Sequence, residues 1–343
     1  MRYIGGKTLL LDKINNAINE NCSNIHSIMD IFAGSGVVSS YLVQNGFQII
    51  SNDILYFSYV IQRCIIGISK VPSFDKLKEI GIFAPLDYLN SLIINKTNFD
   101  IQKCFIYQNY SLGGSSRMYF REDNALKIDI IRLTIEQWHL DGNINDDEYF
   151  YLLASLIYAV PYVSNITGVY AAYLKFWDKR TYNRIVLKEV PICLNNQKNC
   201  CYNCDYTALL KIKADLLYAD PPYNQREYAP NYHLLETIAR YDYPKIKGVT
   251  GMREYSQMKS KFCSKKTVEE AFETLIRNTS CNNILISYNN EGLITTARLS
   301  EICKDYAIND SFKLYEFAYR RYKNKISNET EGLKEQLYFL RRR

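Results

Sequence analysis

Residues 25–53 read IHSIMDIFAGSGVVSSYLVQNGFQIISND, and their patterning decides the fold class. Ile25 to Phe32 is a short apolar run ending in Ala33-Gly34-Ser35-Gly36, Val37 to Asn45 carries a helical pattern stopped by Gly46, and Phe47 to Ile50 is a second strand. Strand, glycine turn, helix and strand make a βαβ unit, so an α/β protein with an open parallel sheet is expected, its ligands at the carboxyl ends of the strands. Glycines directly after the first strand let the backbone turn tightly and approach a nucleotide-like ligand. Asp53 ends the second strand 17 positions after Gly36, where a carboxylate can accept hydrogen bonds from both hydroxyls of a ribose. Two readings stay open here: Asp53 also suits the N-cap of a helix over 54–61, and the third glycine of a dinucleotide-binding dehydrogenase is missing.

Working outward, Thr8 to Asn19 carries a helical stripe of Leu9, Leu10, Ile14 and Ile18. From about Val71 to Asn199 the texture changes to long helical patterns (Ala125 to Trp138, Asp147 to Tyr158) and an aromatic, glycine-containing region from Tyr107 to Phe120, which reads as an insert. Strand patterns return at Ala214 to Ala219 and at Asn283 to Tyr288. No internal repeat or low-complexity tract is visible.

Composition narrows the function classes. The 343 residues are 47% hydrophobic and 23% charged, ordinary for a globular chain. The longest nearly uncharged run, Tyr149 to Val160, falls short of the roughly 20 apolar residues that span a bilayer, and the N-terminus lacks a secretory pattern, so a cytoplasmic protein with no membrane association is expected. The ten cysteines are scattered and read as reduced thiols. Cys200, Cys201 and Cys204 cluster, but His26, His139 and His233 are far off in sequence, so a loop entering a strand is preferred to zinc and no metal is expected. Of the formal charge of +6, the window Tyr243–Lys266 holds seven cations against Glu254, and Ser311–Arg343 nine against four acids, leaving the rest of the chain net negative. Such concentration suits a polyanion partner as well as it suits solvated helix faces. Gly6-Lys7-Thr8 is no ATP loop, because that pattern needs glycine where Met1 stands.

The sharpest signal is Asp220-Pro221-Pro222-Tyr223, directly after the strand Asp215 to Ala219. Two prolines stiffen the backbone and remove two N–H donors, so the turn presents carbonyl oxygens, a carboxylate and an aromatic face. The carboxylate and a proline carbonyl can each accept one N–H of an exocyclic amine while Tyr223 stacks on the base, a contact that contributes on the order of 1–3 kcal/mol.

These motifs in order, Arg2-Tyr3-Ile4-Gly5-Gly6-Lys7, Asp30-Ile31-Phe32-Ala33-Gly34-Ser35-Gly36, Asn52-Asp53, Cys204-Asp205-Tyr206 and Asp220-Pro221-Pro222-Tyr223, resemble those of the D12-class (α-group) adenine-N6 DNA methyltransferases. Ile284 to Gly292 and Arg320-Arg321-Tyr322-Lys323 also look like that family, and the resemblance covers essentially the whole chain. The continuation Asn224 to His233 looks like a modification enzyme of a restriction system. The resemblance implies a Rossmann-like S-adenosylmethionine-dependent methyltransferase core over 1–70 and 200–343, with a mainly helical target-recognition region inserted over 71–199.

It further implies that Tyr3 and Lys7 contact S-adenosylmethionine, that Phe32 and the Gly34/Gly36 turn cradle it with Asp30 near its amino-acid moiety, and that Asp53 holds the ribose. Asp205 would take the cofactor adenine's amino group with Tyr206 beside that ring. Asp220, also close to the cofactor, and Tyr223 would face the target base, Pro221 and Pro222 shaping the turn. Tyr3 departs from the family's frequent Trp but remains an aromatic platform. Transfer would be a direct displacement with no covalent enzyme intermediate. An adenine within duplex DNA would have to be flipped out at a cost of a few kcal/mol. In the insert, Arg117, Arg121, Lys175, Lys179 and Arg180 are candidates for phosphate or guanine contacts, Asn109 and Asn165 for adenine, and Gly168 to Tyr173 for the segment approaching DNA. Duplex DNA and a cognate restriction endonuclease are the implied partners. Methylation of RNA adenine or of a protein amide, and a catalytically silent nucleic-acid-binding module, are the competing readings.

Overall fold

A computed structural model of the chain describes residues 3–93, 100–318 and 332–343. The Arg320–Lys323 stretch of the last family-like motif lies outside the described residues. In chain order the strands are β1 (Ser27–Asp30), β2 (Gln48–Asn52), β3 (Cys200–Tyr202), β4 (Leu216–Ala219), β5 (Ile246–Lys247), β6 (Met252–Arg253), β7 (Asn283–Asn289), β8 (Lys313–Ala318) and β9 (Lys334–Arg341). The chain divides into two compact units, one of Gly5–Ile54, Asn195–Tyr228 and Met258–Arg343, the other of Met1–Ile4, Leu55–Leu194 and Ala229–Gln257.

The first unit holds a seven-stranded sheet ordered β3-β2-β1-β4-β7-β9-β8. β3, β2, β1, β4 and β7 run parallel, while β9 pairs antiparallel with both β7 and β8. This is an open, mostly parallel Rossmann-like sheet, the fold that the resemblance implies. Parallel strands are covered on both faces and read as continuous apolar runs. β4 is buried throughout, and its Leu217 and Ala219 pack with Met29, Ile31, Ile284 and Ile286 in one core cluster. Helix Val268–Asn278 turns Val268, Ala271, Phe272, Leu275 and Ile276 to the interior at the three- and four-residue spacing of an amphipathic helix. The strand order reverses between β1 and β4, and at such a point the loops leaving the carboxyl ends separate and open a crevice. The register pairs Asp30 with Tyr218, which brings the β1 glycine turn and the Asp220 turn to the same sheet end.

The expected helix over 8–19 spans Leu11–Asn21, and Cys200 and Cys201 lie in β3, which the preceding loop enters, Cys201 pairing with Ser51 and Cys204 standing two residues beyond the strand. Hydrogen bonding to the β2 edge recruits this segment, a tertiary signal that short apolar content does not carry. None of the ten cysteines is in a disulfide.

The second unit is mainly helical. Helix Glu122–Leu140 and helix Asp146–Ala159 occur where the periodicity predicts them, the latter opened by a capping box in which Asn145 and Glu148 bond each other's backbone. The chain from Ala229 to Arg240 is almost wholly buried in this unit, its Glu236 carboxylate accepting from the Tyr56 and Phe57 backbone N–H groups at 3.1 and 3.0 Å. Arg132 donates to the Ile238 and Ala239 carbonyls, satisfying the carboxyl end of that helix. No described helix is long and apolar enough to cross a membrane.

Candidate active site

At the carboxyl end of β1 the chain enters the glycine turn, where Gly34 and Gly36 take φ of +52° and +73°, left-handed values that penalise a side chain. The Gly34 N–H donates to the Asp53 carboxylate at 2.8 Å and the Ala33 N–H to the Asn52 carbonyl at 2.9 Å, so the end of β2 sets the shape of the turn. Asn52 is buried and binds in both directions, its amide donating to the Ile31 and Cys204 carbonyls while its oxygen accepts from the Cys204 N–H. Asp30 lies beneath the turn, its carboxylate accepting from Ser39 Oγ at 2.7 Å. Burial pushes the Asp30 carboxyl up to about 7; the Ser39 bond opposes this, and the Asp220 and Asp53 charges reinforce it.

Beside this turn stands an aromatic group. Phe32 is half-buried with its ring centroid 5.4 Å from Tyr206 and 5.3 Å from Phe262, the latter edge-on. Asp205 is exposed at the start of the adjoining helical turn, where its carboxylate accepts from the Thr207 N–H.

β4 delivers Asp220-Pro221-Pro222-Tyr223 to the same sheet end. The Tyr223 ring meets Tyr288 edge-on at 6.3 Å, and its carbonyl accepts from the Leu293 N–H at 3.1 Å, so the loop after β7 braces the turn. Lys7 is 3% exposed; its Nζ lies 3.2 Å from Asp220 Oδ1 and 3.0 Å from Glu335 Oε2, and 5.6 Å from the centre of the Tyr223 ring. Just before Lys7, Gly5 takes a left-handed φ of +75°, and an added Cβ would come within 2.8 Å of the Tyr228 hydroxyl. Burial pushes the Asp220 carboxyl up, Lys7 pulls it down and Glu335 pushes it up again, leaving it at about 6. Burial would depress the Lys7 ammonium, but Asp220 and Glu335 outweigh it and hold it above the ordinary lysine range.

This unit therefore brings together Lys7, Asp30, Phe32, Gly34, Gly36, Asp53, Asp205, Tyr206, Asp220, Pro221, Pro222 and Tyr223. Tyr3 belongs to the helical unit, where its ring stacks on Tyr232 at 4.9 Å and 7°. Sequence reasoning missed Glu335; the available signal was a carboxylate opening the otherwise apolar run of β9, Leu337 to Leu340. It also missed Ser39, whose burial on the helix after the glycine turn shows only in three dimensions.

The candidate nucleic-acid residues of the helical unit have distinct settings. Arg117 donates to the Val249, Gly248 and Asn109 carbonyls at 3.0–3.1 Å, tying down the loop between β5 and β6. Arg121 lies over the Trp177 and Tyr182 rings, and Arg180 pairs with Asp178, while Lys175 and Lys179 are exposed. Asn109 bonds back to the Phe105 carbonyl of its own helix. Asn165 is fully buried, donating to the Met118 and Leu174 carbonyls and accepting from the Asp178 N–H, so its amide is committed to holding the loop it begins. Within Gly168 to Tyr173, Tyr170 is buried and its carbonyl accepts from the Tyr119 hydroxyl and His233 Nε2, which makes it part of the core. Among the described residues no group of three metal-ligating side chains is arranged to hold an ion.

Residues 3–302 match the model of the D12 class N6 adenine-specific DNA methyltransferase family. The type II methyltransferase M.FokI of Planomicrobium okeanokoites is 44% identical over 346 residues, taking in 100% of this chain and 53% of that protein. The modification methylase StsI of Streptococcus sanguinis is 39% identical, covering 100% of this chain and 52% of its own length. The type II methyltransferase M.NlaIII of Neisseria lactamica is 38% identical, covering 94% of this chain and 92% of itself. The chain thus spans about half the length of the first two relatives and nearly all of the third.

Proposed function

The chain belongs to the D12 class of N6 adenine-specific DNA methyltransferases, and from that premise we propose that it methylates N6 of a specific adenine in duplex DNA, in the cytoplasm, guarding host sites against a cognate restriction endonuclease. The observation that carries this reading is Asp220-Pro221-Pro222-Tyr223 at the carboxyl end of β4, with the Asp220 carboxylate beside the buried Lys7 ammonium.

The donor set fits S-adenosylmethionine: a glycine turn that only glycine adopts readily, carboxylates at the ends of β1 and β2, and the half-buried ring of Phe32. When bound, S-adenosylmethionine supplies a methyl group activated by a positively charged sulfur. Gly34, Gly36 and Phe32 cradle it, Asp30 lies near its amino-acid end, Asp53 takes the ribose, Asp205 and Tyr206 take the adenine, and Lys7 contacts it from the N-terminal segment. Adenine N6 is a poor nucleophile because its lone pair is delocalised into the ring. Accepting one N6–H at the Asp220 carboxylate and the other at the Pro221 carbonyl favours a pyramidal nitrogen and frees that lone pair. With a carboxyl at about 6, Asp220 is ionised at neutral pH and able to accept. Tyr223 stacks on the flipped adenine, returning part of the few kcal/mol spent on unstacking. Residues 71–199 carry target recognition, with Arg121, Lys175 and Arg180 meeting DNA and Arg117 supporting them from within.

The test is transfer of labelled methyl to mixed-sequence duplex DNA, with Asp220→Ala alongside, followed by nucleoside chromatography. Label in N6-methyladenine from the unmodified chain and none from the variant is expected. Unlabelled DNA while S-adenosylmethionine binding is intact would refute the proposal.

A further inference from the structure

We propose that Glu335 is a positioning residue for Asp220: acting through the Lys7 ammonium, it shares that cation and so keeps the Asp220 carboxylate a strong hydrogen-bond acceptor. This rests on the adenine-methyltransferase reading above and adds a residue from the last strand of the sheet.

The geometry is a row of three charges, Lys7 and Glu335 buried and Asp220 half-buried. Lys7 Nζ sits 3.0 Å from Glu335 and 3.2 Å from Asp220, and the side chains of Lys7, Glu335 and Asp220 are 3%, 6% and 17% exposed. Glu335 is fixed by strand pairing, opposite Asn289 on β7 and Phe317 on β8, so the ammonium has an anchor that does not move with the Asp220 turn. Stability alone does not call for this arrangement. A Lys7–Asp220 pair is already neutral, and a third ion leaves the row with a net buried negative charge, which is costly. The third charge does have a chemical consequence. An ammonium held against a single carboxylate draws off the acceptor strength that the carboxylate would offer to N6–H, whereas a second carboxylate on its other side takes up part of its charge. The field of Glu335 opposes that of Lys7 at Asp220, in the direction this role requires. The groups whose charge bears on Asp220 are Lys7 from the N-terminal segment, Glu335 from β9, Asp30 from β1 and Tyr218 from β4, with Tyr223 of its own turn beside Lys7.

The experiment compares the full chain with Glu335→Gln and Glu335→Asp in single-turnover methyl transfer across pH, at saturating S-adenosylmethionine and duplex DNA. Glu335→Gln should move the acid limb of the rate profile down by about one pH unit and lower the plateau several-fold, with S-adenosylmethionine affinity unchanged. Glu335→Asp, which keeps the charge, should restore the wild-type midpoint. A Glu335→Gln profile with the wild-type midpoint, whatever its plateau, overturns the proposal by reducing Glu335 to a structural role. If that variant does not fold, Glu335→Ser, which removes the charge with a smaller side chain, takes its place: it must show the lower midpoint, and a wild-type midpoint overturns the proposal. If the unmodified chain methylates no DNA adenine, the function reading fails by itself. The Glu335 inference is then decided by carboxyl-carbon NMR titration of Asp220, whose midpoint Glu335→Gln must lower.

Discussion

Replacing Lys7 with methionine tests the buried charge row through stability alone. The ammonium is 3% exposed and bridges two carboxylates at 3.2 and 3.0 Å. Removing one partner of a buried ion pair costs about 3–5 kcal/mol, because the charge left behind has neither water nor a counter-ion. Here two carboxylates are left facing each other. The sign of the pH dependence follows from Asp220. Its carboxyl is raised from an ordinary 3.8 to about 6 even with Lys7 present, so the folded state already binds that proton more tightly than the unfolded chain. The associated stability is complete at low pH and is lost as pH rises through the folded value. Without Lys7 the folded value climbs, so Lys7→Met should lose the most at pH 8.5. The deficit should shrink by about 1.4 kcal/mol for each pH unit over which one carboxylate takes up its proton. Urea unfolding followed by far-UV circular dichroism at pH 8.5 and 5.5 gives the totals, and hydrogen exchange of the β4 and β9 segments places the loss in the sheet unit. A deficit equal at the two pH values, or absent at pH 8.5, would refute the reasoning.

Two further expectations separate scaffold from function. Asp53→Asn keeps the acceptor for Gly34 N–H but removes the charge; it should weaken S-adenosylmethionine binding by about 1.5–3 kcal/mol, the worth of hydrogen bonds to a charged group, as measured by calorimetry, with the fold retained, and unchanged affinity would remove Asp53 from the ribose site. Lys175→Ala should lower the salt slope of DNA binding by about 1 without altering thermal stability. Arg117→Ala, which strips three carbonyls of their donor, should instead destabilise the helical unit by about 1–3 kcal/mol and leave that slope unchanged. Fluorescence anisotropy at several salt concentrations reads both variants, and a reversed pattern would exchange their roles.

Much of the sheet unit is written locally. The βαβ opening follows from apolar runs of strand and helix period, and the glycine turn from residues 34 and 36, which alone tolerate the left-handed backbone found there. The Asp220 turn is legible because two prolines dictate conformation from within the chain. The two long helices of the other unit are likewise present where periodicity places them. What escaped reading depends on pairing at a distance. β3 is a strand because the edge of β2 is there to bond it, and Ala229–Gln257 joins Leu55–Leu194 because buried groups such as Glu236 and Arg132 find their partners across that gap in sequence. Asn165 and Tyr170, polar or aromatic residues in a loop and so eligible for DNA on sequence grounds, are core residues because the surrounding carbonyls and hydroxyls consume their hydrogen bonds.

By itself, then, the sequence determined the family, the parallel α/β core and the identity of the turns that carry chemistry, since short-range sterics and periodicity act within a few residues. Only the tertiary structure decided the electrostatics of the site. Residues 7, 220 and 335 meet because β9 inserts antiparallel between β7 and β8, and it is their shared removal from water, which no local pattern encodes, that sets the charge at Asp220.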